Sequence, residues 1–458
     1  MSKFTELSEV SFKTDMLNSF ERMELQEIKA PQYQAGSAGS EIDLSYRSDT
    51  LDKFLDAKNS YVEVKFTALN ATPTPDVAFV SNDAVVHPQL GAAVFSSYRI
   101  EVNDVVVDKI DTSPERVFAV KAMYKPKDWL ETYGKRAGMF ICPSYNDDED
   151  GVNTRDITDV AHIGATIKYT DAGRELIKWS DNLLVASGGA VKLEIPLALL
   201  SDFFDYSPGE NQLMPIRSIR FTGTRAADSN YIKIRLTGHS LAISNFEVRM
   251  HLAWIYPSPH DMEAFISSSK SVDMVYSRYN VQSEQTTGTS ATTYQWNSQF
   301  TDPTRLFLME NYAGTGDDIT FTTDARIEKL GTFSVEIDGV NKPFGTNKFV
   351  SGTNFTVSSG DWQVLYNEYL RQYAGCYDYS TAPPIDYHQF YYCGIIPIQL
   401  DDRLPGYGIL PKNEVKRIDV QLAYTGVNPT NHVKIVEFTA QAKMNLETGE
   451  LIVKNETR

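Results

Sequence analysis

The sequence predicts an all-β protein made of two tandem antiparallel sandwiches, for which jelly rolls are the leading arrangement. Three observations lead there. Aromatic residues make up 12% of the 458 residues, and most of them are Tyr or Phe, which suits pleated strand faces. Period-two alternation of apolar and polar residues recurs along the chain, the mark of strands with one buried face. Four blocks also occur twice in the same order, which points to duplication of one β domain.

The first stretch, residues 1–40, reads differently from the rest. Phe4, Leu7, Val10, Leu17, Phe20 and Met23 recur at near-helical spacing, and a Gly/Ser/Ala run at 35–40 follows as a joint. The stretch is read as an arm. It carries four basic and six acidic residues, so it is no polybasic tail.

Beyond residue 40, strands are expected at Tyr61–Phe66, Tyr98–Val102, Val191–Ile195, Ile216–Phe221 and Phe246–Met250. Gly, Pro, Asn and Asp clusters punctuate them. The best helical stretches are 114–124 and 361–373. The duplication begins with Arg99-Ile-Glu-Val-Asn-Asp-Val105, echoed by Ser334-Val-Glu-Ile-Asp-Gly-Val340 at an offset of 235 residues. Asn103-Asp104 and Asp338-Gly339 supply tight-turn chemistry in the two copies. An aromatic-rich helical segment follows each. Then Glu194-Ile-Pro-Leu-Ala-Leu199 is echoed by Ile395-Ile-Pro-Ile-Gln-Leu400 at 201 residues, and Ile216–Phe221 by Val415–Val420 at 199. Each half closes on a long strand. The offset shrinks because the first half carries a longer insertion, roughly 134–190. The domains are therefore an arm at 1–40, a first roll at 41–260 and a second at 261–458.

Several chemistries find no footing. No apolar run approaches the roughly 18 residues of a membrane-spanning helix. The seven histidines never fall at i, i+2 or i, i+4, so neither an HxH nor an HExxH metal site is present. The three cysteines form no CxxC and no disulfide framework. No phosphate-binding GxxxxGK[ST] loop and no GxSxG elbow occurs. The acidic run Asp147–Asp150 reads as a solvated loop tip rather than a Ca²⁺ site. No catalytic residue, metal ligand or cofactor is assigned. The N-terminus lacks the apolar core of a signal peptide, so intracellular synthesis is expected. The net charge of −17 opposes direct nucleic-acid binding.

Four stretches carry a family resemblance: Phe54–Val64; Phe95–Asn103 with its following helix; Phe246–Met250 running into Tyr256-Pro-Ser-Pro-His260; and the closing pair of strands. Through them, over most of its length, the chain resembles the double jelly-roll major capsid proteins of Polinton (Maverick) elements, adintoviruses, Polinton-like viruses and virophages. The resemblance implies two tandem eight-stranded antiparallel jelly rolls with a few short helices. It implies a homotrimer that is pseudo-hexameric, packs against neighbouring capsomers and tiles the icosahedral shell of a DNA-virus virion. It implies a separate single jelly-roll penton protein. Residues 134–190 and 281–330 are the expected outer tower loops. The arm, with Phe4, Leu7, Val10, Leu17 and Phe20 as contacts, is expected on the inner face. There it would clamp a neighbour, lie on an internal membrane or extend the first sheet; its acidity favours the clamp.

The expected interface anchors are aromatic and Arg residues of the two helices: Arg116, Phe118 and Tyr124 in the first, and Trp362, Tyr366, Tyr369 and Tyr373 in the second. Their bland reading is that they cap their own sandwiches. Two other functions compete. A tandem jelly-roll carbohydrate-binding protein would stack exposed Tyr and Trp on sugars. A hydrolase would need an acid–base constellation that the sequence does not display.

Overall fold

The computed structural model describes residues 20–29, 36–72, 76–80, 83–140, 178–205, 213–234, 239–260, 263, 271–285, 293–311, 330–348, 360–377, 381, 383–385, 390, 395–401, 413–424, 431–445 and 448–454. Eight principal strands come from the first half. They are β1 (Phe20–Lys29), β2 (Glu41–Arg47), β3 (Phe54–Asn70), β4 (Phe95–Val102), β5 (Val105–Ile110), β6 (Ala190–Pro196), β7 (Ser218–Arg225) and β8 (Leu241–Pro257). They form two sheets, ordered β1-β8-β3-β6 and β2-β7-β4-β5, with every adjacent pair antiparallel.

Eight more strands come from the second half: β9 (Ser271–Gln285), β10 (Thr293–Thr301), β11 (Pro303–Asn311), β12 (Leu330–Ile337), β13 (Val340–Lys348), β14 (Ile396–Gln399), β15 (Val415–Tyr424) and β16 (Asn431–Asn445). Their sheets run β9-β16-β11-β14 and β10-β15-β12-β13. Adding eight to each strand number of the first half reproduces the second. This eight-stranded order is a jelly roll, and it occurs twice.

The fold follows from the alternation. In β3, Val62, Val64, Phe66 and Ala68 are buried and face the opposite sheet. There Phe95 and Tyr98 pack on Phe221 with ring centroids 5.4 and 6.1 Å apart. In the second roll Phe333 and Val335 of β12 and Ile418, Val420 and Leu422 of β15 do the same. Pro196 and Pro397 fall on β6 and β14, the edge strands, where a missing N–H costs no ladder bond.

The duplicated turns are the same device. Asn103 and Asp104 have φ of 48° and 63°, and Asp338 and Gly339 have 47° and 80°, the left-handed values that a tight two-residue hairpin needs. Asn103 Oδ1 accepts from the Arg217 and Ser218 N–H groups at 2.9 and 3.0 Å. Asp338 Oδ1 accepts from the Arg417 N–H at 3.0 Å. One side chain thus sets the hairpin and ties it to the neighbouring strand in each roll.

The helices also appear where expected, as α1 (Pro114–Met123) and α2 (Gly360–Tyr377). Each lies between the fifth and sixth strands of its roll. Two expectations change. Phe20–Lys29, placed in the arm, is instead the first strand of the first roll, so that roll begins before residue 41. It pairs with β8 from Phe20↔Pro257 to Lys29↔Arg249. The near-helical spacing that runs through Phe20 and Met23 gives way to strand alternation: Ile28 packs on the core and Leu25 is exposed. The strand is secured by Trp254 Nε1–H donating to Gln26 Oε1 at 3.0 Å and Tyr256 O–H donating to Glu24 Oε2 at 3.0 Å. Lys53 Nζ sits 4.5 Å from the Trp254 ring centre and 5.0 Å from that of Tyr46, a cation–π contact that closes this end of the roll. The second change is that the tower candidate 281–330 contains β10, β11 and the end of β9. Phe4, Leu7, Val10, Leu17 and most of the 134–190 insertion lie outside the described residues.

Asn103→Ala is expected to cost about 1–3 kcal/mol through orphaned backbone N–H groups and a strained turn. Asp338→Ala should cost less, because Asn103 also donates across to the second roll, to Gly449 O at 2.9 Å. Denaturant midpoints of the two variants would check the order. His432 gives a pH-dependent term. It is buried against Tyr294, ring centres 4.6 Å apart, and burial with Lys434 beside it holds the imidazole down at about 4. The unfolded chain therefore binds this proton first. Stability from this site is full above about pH 6.5 and is lost as pH falls toward 4, by on the order of 3 kcal/mol. His432→Phe should flatten that part of the pH–stability curve relative to the wild-type protein.

Candidate assembly interface

Side chains of the two helices gather where the two rolls meet. α1 starts after Ser113, with Pro114 at its first turn and Glu115 favourably placed toward the positive end of the helix. Its buried face carries Val117, Phe118, Val120, Lys121 and Met123. A buried lysine needs a partner for its charge, and Lys121 has several. Its Nζ donates to Leu199 O at 2.8 Å and pairs with Asp202 Oδ1 at 2.8 Å. It also lies 5.2 Å from the ring centre of Tyr279 in the second roll. The Tyr279 hydroxyl donates to Asp202 Oδ2 at 3.2 Å. Burial, with Asp202 adding to it, pushes the Tyr279 phenol up and keeps it a donor.

Tyr124, just beyond α1, is the centre of the junction. Its hydroxyl donates to Gln372 Oε1 of α2 at 2.6 Å. Its ring meets Phe307 edge-on at 6.1 Å and Tyr369 at 5.7 Å. Tyr369 O–H in turn donates to Met123 O at 2.8 Å. The Arg305 guanidinium stacks over the Tyr124 ring at 4.3 Å. Arg305 Nε–H donates to Glu437 Oε2, and Glu437 Oε1 accepts from Ser277 Oγ–H at 2.7 Å. Arg305 and Glu437 are opposite one another on β11 and β16, and both are buried. Burial opposes the Arg305 charge, but Glu437 beside it outweighs that and holds the guanidinium firmly protonated.

The junction continues along the rolls. Tyr276 O–H donates to Val107 O of β5 at 2.9 Å, and its ring meets Phe203 edge-on at 5.3 Å. The hairpin after β16 reaches the Asn103 turn, where Arg217 donates to Thr448 O at 2.8 Å. The outer face of the β9-β16-β11-β14 sheet is thus covered by the first roll.

Of the expected anchors, Tyr124 and Tyr369 are brought into contact, and Tyr366 and Tyr373 stand beside Tyr369 at 6.0 and 6.3 Å. Phe118 is wholly buried and joins the hydrophobic core. Arg116 is half-buried and pairs with Glu115 at 3.7 Å. Trp362 lies in the first turn of α2, with its side chain outside the described set. Tyr124 and Tyr369 pack between the rolls of one chain. Arg305, Glu437, Lys121, Asp202, Tyr276 and Tyr279 were not anticipated. The available signal was charge set in otherwise apolar strands, one in Pro303-Thr-Arg-Leu-Phe-Leu-Met309 and two in Val433-Lys-Ile-Val-Glu-Phe438. Among the described residues no helix is long and apolar enough to cross a membrane, and no group of three or more His, Cys, Asp or Glu is placed to hold a metal ion.

No protein-family model matches the chain, and no curated protein matches it in sequence. Solved structures do match in fold. A chain in the cryo-electron microscopy structure of the Sputnik virophage superposes with a TM-score of 0.63 at 10% identity, over 96% of this chain and 90% of that one. The mavirus major capsid protein gives 0.54 at 10% identity, over 97% and 93%. PBCV-1 VP54 gives 0.51 at 13% identity, over 96% and 98%. The likeness is one of fold, and it identifies the double jelly roll over nearly the whole chain.

The buried ion pair makes a sharp prediction. Arg305→Met alone is expected to destabilise by about 3–5 kcal/mol, because Glu437 is left charged and unpaired. Arg305→Met with Glu437→Leu should recover most of that loss. Denaturant unfolding of the two single variants and the double variant would read the coupling.

Proposed function

We propose that this chain is a major capsid protein, with a structural rather than a catalytic role. The observation that carries the reading is the joining of two jelly rolls of identical strand order into one body through a buried aromatic and ionic junction. A protein built this way presents the lattice with two similar shapes held in a fixed relation. Three copies then offer six rolls around one axis, a near-hexagonal unit that tiles an icosahedral shell. The partners are two further copies in a homotrimer, neighbouring trimers, and a separate single jelly-roll protein at the five-fold vertices. The site of action is the virion.

The physics of such a role is burial of surface between copies. Trimer contacts of the obligate kind cover roughly 2,000–5,000 Å², whereas contacts between trimers are weaker and more polar, so that a growing lattice can correct misplaced units. The net charge of −17 leaves genome neutralisation to other packaged cations or proteins. The segment ahead of Phe20 is assigned to an inner clamp or membrane contact.

Purified protein is expected to elute as a trimer, to show pseudo-hexagonal particles in negative stain, and to melt at a temperature that rises with protein concentration. A monomer with a concentration-independent transition that instead binds a glycan array would overturn the capsid reading in favour of carbohydrate binding.

A further inference from the structure

The inner faces of the two rolls can be compared position by position, because their pairing registers match. Tyr61 faces His251, and Phe307 faces Ile435. Val248 and Met250 of β8 therefore hold the places that His432 and Lys434 hold in β16. Ile28 pairs with Met250, and Gln282 pairs with Lys434. In the opposite sheets the hairpins equate Val102 with Ile337. Followed through β7 and β15, Ile42 and Leu44 of β2 hold the places of Tyr294 and Trp296 in β10.

In the first roll this end of the sandwich is hydrocarbon with one thioether. Ile42, Leu44, Val248 and Met250 are buried, and Ile28 packs against the core. The second roll puts two aromatic rings, an imidazole, an ammonium and an amide at the same places, and joins them to one another. Tyr294 lies on His432 with ring centres 4.6 Å apart. Lys434 Nζ stands 5.5 Å from the centre of the Trp296 ring. Trp296 Nε1–H donates to Gln282 Oε1 at 2.7 Å, and Gln282 Nε2–H donates to Asn280 Oδ1 at 3.0 Å. His432 and Lys434 are 1% and 2% exposed, whereas Tyr294 and Trp296 are only half-buried. The fold does not require these groups, since the first roll closes the same end without them. Burying a cation there costs stability, and departures of this kind from a consistent core mark functional sites.

The surroundings define the ligand. A lysine ammonium has three N–H donors. Among the described residues, that of Lys434 makes one hydrogen bond, to Glu284 Oε2 at 2.9 Å. The Glu284 side chain is 51% exposed, so its carboxylate meets the ammonium from the solvent side. An ion pair with so exposed a partner is weakly held, and another carboxylate can take its place. Tyr294 and Trp296 are two apart on one strand, ~7 Å along it, and β10 is an edge strand. The rings therefore line an open border longer than a single six-membered ring, which suits linked rings such as those of a sugar chain.

We propose that this end of the second roll binds an acidic saccharide. Sugar rings lie against Tyr294 and Trp296, and a sugar carboxylate replaces that of Glu284 on Lys434 Nζ. A neutral sugar offers the rings a face but leaves the ammonium to Glu284. A polyphosphate is opposed by the net charge of −17. The site lies within one chain and is independent of the capsid reading, which is decided by oligomeric state; saccharide binding by a trimer is compatible with both.

The test uses the full chain on an array of immobilised saccharides, each uronate or sialate paired with a neutral analogue. Wild-type protein is expected to hold the acidic members roughly tenfold more tightly than the neutral ones. Lys434→Met, which copies Met250, should remove that preference. It should also melt at or above the wild-type temperature, because the carboxylate it leaves behind is exposed; a purely structural lysine would lower the melting temperature instead. Trp296→Leu, which copies Leu44, should weaken acidic and neutral binding alike, by roughly tenfold. Glu284→Gln removes the competing carboxylate from an exposed side chain and should tighten acidic binding severalfold, which keeps the test decisive whatever the folding of the other two variants. Absence of an acidic preference in the wild-type protein, a preference that survives Lys434→Met, or acidic binding that Glu284→Gln leaves unchanged or weaker would overturn the site.

Discussion

The contact of Arg305 and Glu437 beneath the ring of Tyr124 is the constraint on which the arrangement of this protein depends. A jelly roll satisfies its own core with the inner faces of its two sheets. Its outer faces are free to be polar. Once the outer face of the second roll's larger sheet is pressed against the first roll, its strands are buried on both sides. β16 accordingly has no exposed residue from His432 to Ala440. Strands of that kind must be apolar throughout or must pair whatever charge they carry. Arg305 and Glu437 satisfy each other across β11 and β16, Ser277 completes the carboxylate, and Tyr124 supplies a π face for the guanidinium. The first roll answers with a buried cation of its own at the junction. Lys121 is neutralised by Asp202, which Tyr279 then ties to the second roll. Each roll thus contributes part of the other's electrostatic satisfaction. The buried pair adds little net stability of its own, because desolvation offsets much of the attraction. Its effect is local: the charges are matched within the second roll, and the Tyr124 ring of the first roll covers the guanidinium.

The parts of this structure that were legible in the sequence are those decided by neighbours along the chain. The turn residues Asn103-Asp104 and Asp338-Gly339, the alternation of β3 and β7, and the helices at 114 and 361 all follow from local rules. The duplication was legible because order is preserved even when residues drift. β1 was half legible. Extension of the first sheet stands among the three roles the arm admits, but Phe20 and Met23, three apart, imitate a helix. The stretch 281–330 reads as a tower loop because it holds the polar and acidic cluster Gly314-Thr-Gly-Asp-Asp318, which masks the alternation of Tyr294 and Trp296 in β10. The junction was half legible. Tyr124 and Tyr369 stood out as aromatics on helices, but the partners Arg305, Glu437 and Asp202 are brought near only by tertiary pairing, and spacing along the chain carries no trace of it.

The way the two copies have diverged shows which face each has dedicated to permanent burial. At matching positions the first roll has Tyr61, Glu63, Arg249 and His251, and the second has Phe307, Met309, Val433 and Ile435. The strand pairing is identical, so backbone geometry cannot account for the change from polar to apolar. The environment does. The second roll's face is covered as soon as one chain folds, and it never has to meet water again, so hydrocarbon is stable there. The first roll's face has no cover within the chain. It must remain compatible with water in a newly made subunit and also with any surface that later closes over it. A lattice of paired charges does both. Lys65 and Lys192 hold Glu63 below the usual carboxylate range against the opposing effect of burial, and Tyr61 stacks on His251 at 4.6 Å. A face of hydrocarbon there would bind sooner and less selectively, and an early or misregistered contact in a closed shell is costly to undo. Duplication therefore supplied two equal surfaces. The face covered within the chain became hydrocarbon, and the face left to water became a lattice of paired charges.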